Sequence, residues 1–96
     1  MLITVKGYLT FRKIISERQY EYPDDTSIQL LDFLRALASD IGGEHGQAIF
    51  DEDSGSVGPY VAVIVNGRNY NHLPDRLNTV MRDRDEVAVF PPGAGG

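Results

Sequence analysis

One stretch of this chain sets its apolar residues at helical spacing, and most of the remaining apolar residues alternate or cluster as strands do. Leu30, Phe33, Leu34, Leu37 and Ile41 fall on one face of a helix, predicted over Ser27 to about Ile41. Thr26 followed three residues later by Gln29 is a capping-box pair at its start, and Gly42-Gly43 closes it. A chain of 96 residues hides only about 60 to 65 per cent of its unfolded surface. Its core must therefore be one sheet packed on one or two helices.

The strands can be placed around that helix. From Leu2 to Phe11 the chain alternates, with Ile3, Val5, Leu9 and Phe11 on one side and Thr4, Lys6, Tyr8 and Thr10 on the other. A polar connection through Arg12 and Lys13 leads to an extended run ending in Gln19-Tyr20-Glu21-Tyr22, which Pro23-Asp24-Asp25 stops. Glu44 to Pro59 reads as a long loop anchored by Ala48-Ile49-Phe50. Tyr60 to Val65 is nearly continuous and β-branched, Asn66-Gly67 signals a two-residue hairpin, and Arg68-Asn69-Tyr70 begins the return strand. A short helical or irregular stretch, Asp75 to Met81, precedes the last strand, Glu86 to Phe90. The order β-β-α-β-β-β has one economical packing: a mixed sheet wrapped on the helix, its first and last strands parallel neighbours at the centre. That is the α+β class and the β-grasp arrangement, expected over residues 1–92 with 93–96 as a flexible tail.

Composition narrows the function. With no cysteine, a disulfide framework, a thiolate metal site and a sulfur nucleophile of the chain's own are excluded. A net charge of −5 with scattered Lys and Arg disfavours nucleic acid and suits a protein partner with a basic docking patch. No run approaches the roughly 20 apolar residues of a membrane span, and the N-terminal residues lack a signal-peptide layout. A cytoplasmic protein is the expectation. Asp51 and Asp53 resemble the start of a calcium loop, but Gly55 comes one place early and no bidentate Glu follows at the needed spacing. His45 and His72 have neither metal-ligand nor triad spacing, so no metal site is expected. No catalytic constellation is legible, and the chain reads as a cosubstrate or subunit rather than an enzyme by itself.

Beyond Phe90 the sequence continues Pro91-Pro92-Gly93-Ala94-Gly95-Gly96. Two prolines fix φ and remove two donors, and the residues after them carry almost no side chain. The expectation is a thin arm, reaching at most about 14 Å from Pro92 to Gly96 at roughly 3.5 Å per residue. Parity assigns the docking face. In the last strand Val87 and Val89 point inward while Ala88 and Phe90 point out, and Tyr8 turns away from Val5 and Leu9. If the strands are neighbours, Tyr8 and Phe90 share the face without the helix and mark a partner-binding surface.

The segment Val65-Asn66-Gly67, followed by the run from Asp85 through Phe90 to Gly95-Gly96, resembles the hairpin and terminal pattern of the MoaD/ThiS family of ubiquitin-like sulfur carriers. The MoaD branch, the small subunit of molybdopterin synthase, is the most similar. The chain departs from that branch in its length, in its acidic loop at 51–55 and in carrying Ser16-Glu17 in the first hairpin connection. The resemblance implies that an E1-like enzyme adenylates the Gly96 carboxylate with ATP, and that sulfur then displaces AMP to leave a thiocarboxylate. Gly93, Ala94 and Gly95 would carry that carboxylate into the partner's cleft. It further implies a MoaE-like synthase subunit or another sulfur-accepting enzyme as partner, and sulfur donation in molybdenum or tungsten pterin cofactor biosynthesis. No permanently bound cofactor is implied. Carriers for cysteine or thiamine synthesis and modifiers conjugated to lysines share the Gly-Gly ending, and both alternatives stay open, as does a plain β-grasp interaction module with an inert tail.

Overall fold

The computed structural model describes residues 1–91. Five strands form one sheet in the order β2-β1-β5-β3-β4: β1 (Leu2–Gly7), β2 (Glu17–Glu21), β3 (Ala62–Val65), β4 (Arg68–Asn69) and β5 (Asp85–Phe90). β1 and β5 run parallel at the centre, with Val5 opposite Val87 and Gly7 opposite Val89, and every other pairing is antiparallel. The β-grasp arrangement expected from the element order is the one observed.

One face of the sheet packs on α2 (Leu30–Ile41), which buries Leu30, Phe33, Leu34 and Leu37 completely against Ile3, Val5, Val63, Val87 and Val89. Tyr20 closes the β2 side, its ring edge-on to Phe33 at 5.3 Å and its hydroxyl donating to the Asp40 carboxylate at 2.9 Å. Burial, and then that bond, raise the Tyr20 hydroxyl above its ordinary pKa.

The expected helix start moves. Thr26 does not cap α2; its N–H donates to the Pro23 carbonyl oxygen in a preceding turn. Helix α2 begins at Leu30, with Gln29 as an N-cap that makes no side-chain cap bond. Its first turn is instead held by a backbone bridge: the Leu30 N–H donates to Thr79 and the Met81 N–H to Ile28, both at 2.8 Å. Tertiary pairing satisfies part of what a capping box would have satisfied.

Strand β1 is also shorter than the alternation predicts. It ends at Gly7, because a Cβ at that position would stand 2.3 Å from the Phe11 carbonyl oxygen. The chain folds back over this bare backbone as a 3₁₀ turn (Leu9–Phe11) and then α1 (Arg12–Ile15). Phe11 still reaches the core, whereas Leu9, expected beside it, is 62% exposed with φ +55°. The first connection thus spans 8–16, and the expected strand to Phe11 is corrected.

Gly42, at φ +70°, ends α2 as expected. The loop predicted from Glu44 is corrected over 44–49, which belong to a helix, α3 (Gly43–Ile49), whose Gly46 lies so close to α2 that a Cβ would meet the Ala38 carbonyl oxygen at 2.3 Å. Ile49 and Phe50 are buried, as the anchoring reading requires. Asp51 pairs with Ser56 in an isolated bridge, and its side chain accepts from the Asp53 N–H at 3.0 Å, so this acidic segment is a closed turn. Strand β3 starts at Ala62 rather than Tyr60, which is 72% exposed. Asn66 and Gly67, at φ +51° and +83°, make the expected hairpin turn.

Candidate functional site: the open sheet face

The sheet face away from α2 is built from the residues that alternate with the core positions. Lys6 stands beside Ala88 on β5, Ala88 beside Ile64 on β3, and Phe90 beside Ala62. The β1–β5 ladder continues one step past Gly7, where the Tyr8 N–H donates to the Val89 carbonyl oxygen at 3.0 Å. This bond holds Tyr8 next to Phe90, and their rings stack 4.6 Å apart at 5°. Tyr8 remains 38% exposed and Phe90 half-buried. Ala88, expected to point outward, does lie on this face, but its small side chain is covered by its neighbours. Lys6 Nζ lies 3.5 Å from a Glu86 carboxylate oxygen, which sets an ion pair on the same face as the stack.

The predicted pair is therefore brought together at the C-terminal end of the two central strands, where β5 hands the chain to Pro91. Such a surface can grip a partner through two rigid rings while the charged pair beside them sets orientation. Gly93, Ala94, Gly95 and Gly96, the predicted reactive end, lie outside the described residues, as does the boundary expected between 92 and 93. Among the described residues no group of three His, Cys, Asp or Glu side chains is placed to hold a metal, and no helix is long and apolar enough to cross a membrane.

Sequence reading missed two contributors. Leu9 projects into solvent next to the stack, and the signal was Gly7, which ends the alternation. Ile64 extends the apolar face onto β3; the Asn66-Gly67 turn fixes the parity of that strand, so the signal was present.

The family model described as "ThiS family" matches residues 9–96. Small archaeal modifier protein 3 of Haloferax volcanii is 36% identical over 96 residues, covering all of both chains. The solution structure of the Haloferax volcanii HVO 2177 protein superposes with a TM-score of 0.72 at 35% identity, over 100% of this chain and 87% of that one. The fold is shared with small archaeal modifier protein 1 from Methanosarcina acetivorans, at a TM-score of 0.74 and 22% identity over 99% and 96% of the two chains. On these matches the chain belongs to the ThiS family, the ubiquitin-like sulfur carriers and modifiers.

Proposed function

We propose that this protein works as a cosubstrate whose reacting group is the Gly96 carboxylate, adenylated by an E1-like partner that docks on the Tyr8–Phe90 face. The observation that carries this reading is the stacked pair at the end of β5, which fixes the body of the protein six residues ahead of Gly96. A carboxylate is a poor electrophile until a good leaving group is attached. ATP, used by the partner, supplies that group as AMP and pyrophosphate leaves. Hydrosulfide, or a donor's persulfide whose acyl disulfide product a thiol then reduces, displaces AMP, and a thiocarboxylate remains. Glycines at 95 and 96 let the acyl carbon enter between nucleotide and nucleophile without a Cβ in the way.

Two fates follow from that common step. The terminal pattern from Asp85 to Gly96 supports transfer of the sulfur to a pterin precursor through a MoaE-like synthase subunit. The end-to-end match to a protein named a modifier supports the second, attachment of the Gly96 acyl group to lysines of other proteins. Intact mass after incubation with the adenylating enzyme, ATP and a sulfur donor separates them: a carboxylate oxygen replaced by sulfur in the first, an adduct on lysine in the second.

The activation step has its own test. Deleting Gly96 or adding one residue shifts the carboxylate by about 3.5 Å. Since a misplacement of about 1 Å can reduce a rate roughly 100-fold, ATP–pyrophosphate exchange should fall at least that far, with the melting temperature unchanged. Equal exchange by the altered and unaltered chains would falsify the proposal.

A further inference from the structure

The chain contains two lysines, Lys6 and Lys13, and the fold treats them differently. Lys6 stands on the open face opposite Ala88, within an ion pair to Glu86 at 3.5 Å. A partner seated on the stacked rings covers it, and acylating it would break the ion pair and put a second body on the docking surface. Lys13 lies in α1, whose Ile15 packs against Gly7 at a core-facing position of β1, on the side away from the open face, while Arg12 borders a hollow shared with Lys6 and Tyr8. Lys13 is exposed and has no ion-pair partner among the described residues. Next to it is Arg12, also exposed, so two adjacent cations project from a body whose net charge is −5. A second copy of this acidic chain is drawn to such a spot by charge complementarity.

We propose that Lys13 is the acceptor for a second copy of this chain, so that the activated Gly96 of one molecule is joined to Lys13 of another in an isopeptide bond. The inference rests on the adenylation of Gly96 proposed above. The neutral Lys13 amine attacks the acyl carbon of the Gly96 adenylate. A C–N bond forms, the acyl C–O bond to the phosphate breaks, AMP departs and one proton passes to solvent. ATP is the only co-reactant. Because Lys13 is off the open face, the acceptor keeps its stacked pair and its own Gly96 available. It can be activated in turn, and chains longer than two can grow.

The test uses the full chain with its E1-like adenylating enzyme, ATP and magnesium, followed by intact mass and peptide mapping. Expected is a species of twice the chain mass less one water, linked at Lys13. It should be lost at least tenfold in K13R, which supports ATP–pyrophosphate exchange equal to that of the unaltered chain, whereas in K6R the adduct that forms should still be linked at Lys13. A linkage at Lys6 or at another amine overturns the proposal. So does loss of one water from a single chain, which marks cyclisation onto the same molecule. Normal exchange without any adduct also overturns it but leaves the adenylation reading standing, whereas absent exchange defeats both.

Discussion

The two faces of the central strand pair have opposite surroundings on consecutive residues. Val5, Val87 and Val89 are fully buried beneath α2. Lys6, Glu86 and Phe90, their immediate neighbours in sequence, form the open face with Tyr8. Parity alone separates the two sets. The proposed docking surface thus borrows its rigidity from core side chains one position away, and its own residues are left with little part in stability. Each of the following measurements would break or sharpen that division.

The largest effect belongs to the buried face. Leu34→Ala empties a site with no solvent exposure and should lower stability by about 2–5 kcal/mol in chemical denaturation. Affinity for the adenylating partner should be unchanged under conditions where the variant is folded. Next comes the seam between the faces. Gly7→Ala places a Cβ 2.3 Å from the Phe11 carbonyl oxygen; the backbone must shift, at a loss of about 1–3 kcal/mol. Because Tyr8 follows directly, this variant should also weaken partner binding, and stability loss without any change in affinity would separate the seam from the site.

On the open face the pattern inverts. Replacing both Tyr8 and Phe90 with Ala removes a stacked pair worth about 0.5–1.5 kcal/mol, yet calorimetric titration should show affinity reduced tenfold or more. A large drop in melting temperature with intact binding would assign the pair to the core instead.

The smallest effect is a pH dependence at the sheet margin. The raised Tyr20 pKa, caused first by burial and then by the bond to Asp40, means the folded protein holds that proton more tightly than the unfolded chain. Its contribution is complete below the unfolded value near 10 and is lost as pH rises through the higher folded value. Tyr20→Phe should therefore flatten the alkaline loss of stability without affecting partner binding at neutral pH.

How much of this was legible depends on which physical signal each element uses. The helix at Leu30–Ile41 and the core positions Leu30, Leu34 and Leu37 were plain because only a helix brings apolar residues at a 3.6 period onto one face. The central parallel pair followed from element order, and the meeting of Tyr8 with Phe90 followed from that pair plus parity. Helix α3 was hidden because Gly43 and Gly46 depress helical propensity. Gly46 is there for the close approach to Ala38, a reason that exists only after folding. The early end of β1 was obscured in the same way: Leu9 and Phe11 keep the alternation on paper, while Gly7 lets the backbone turn beneath them. The start of α2 is held by strand-like bonds to 79–81, so local capping signals pointed elsewhere.

The central parallel pairing also bears on how the protein comes off the ribosome. Ile3 pairs with Asp85, 82 positions later, so the middle of the sheet cannot close until residues 85–90 have been synthesised. Until then β1 and β3 each present an edge that β5 will occupy, which leaves the nascent chain open to strand-mediated misassembly. Such non-local pairing makes folding slow relative to a helical protein of the same size. A translation product that stops before β5 lacks the strand shared by β1 and β3, and with it Phe90, so it can neither close the sheet nor form the stacked pair.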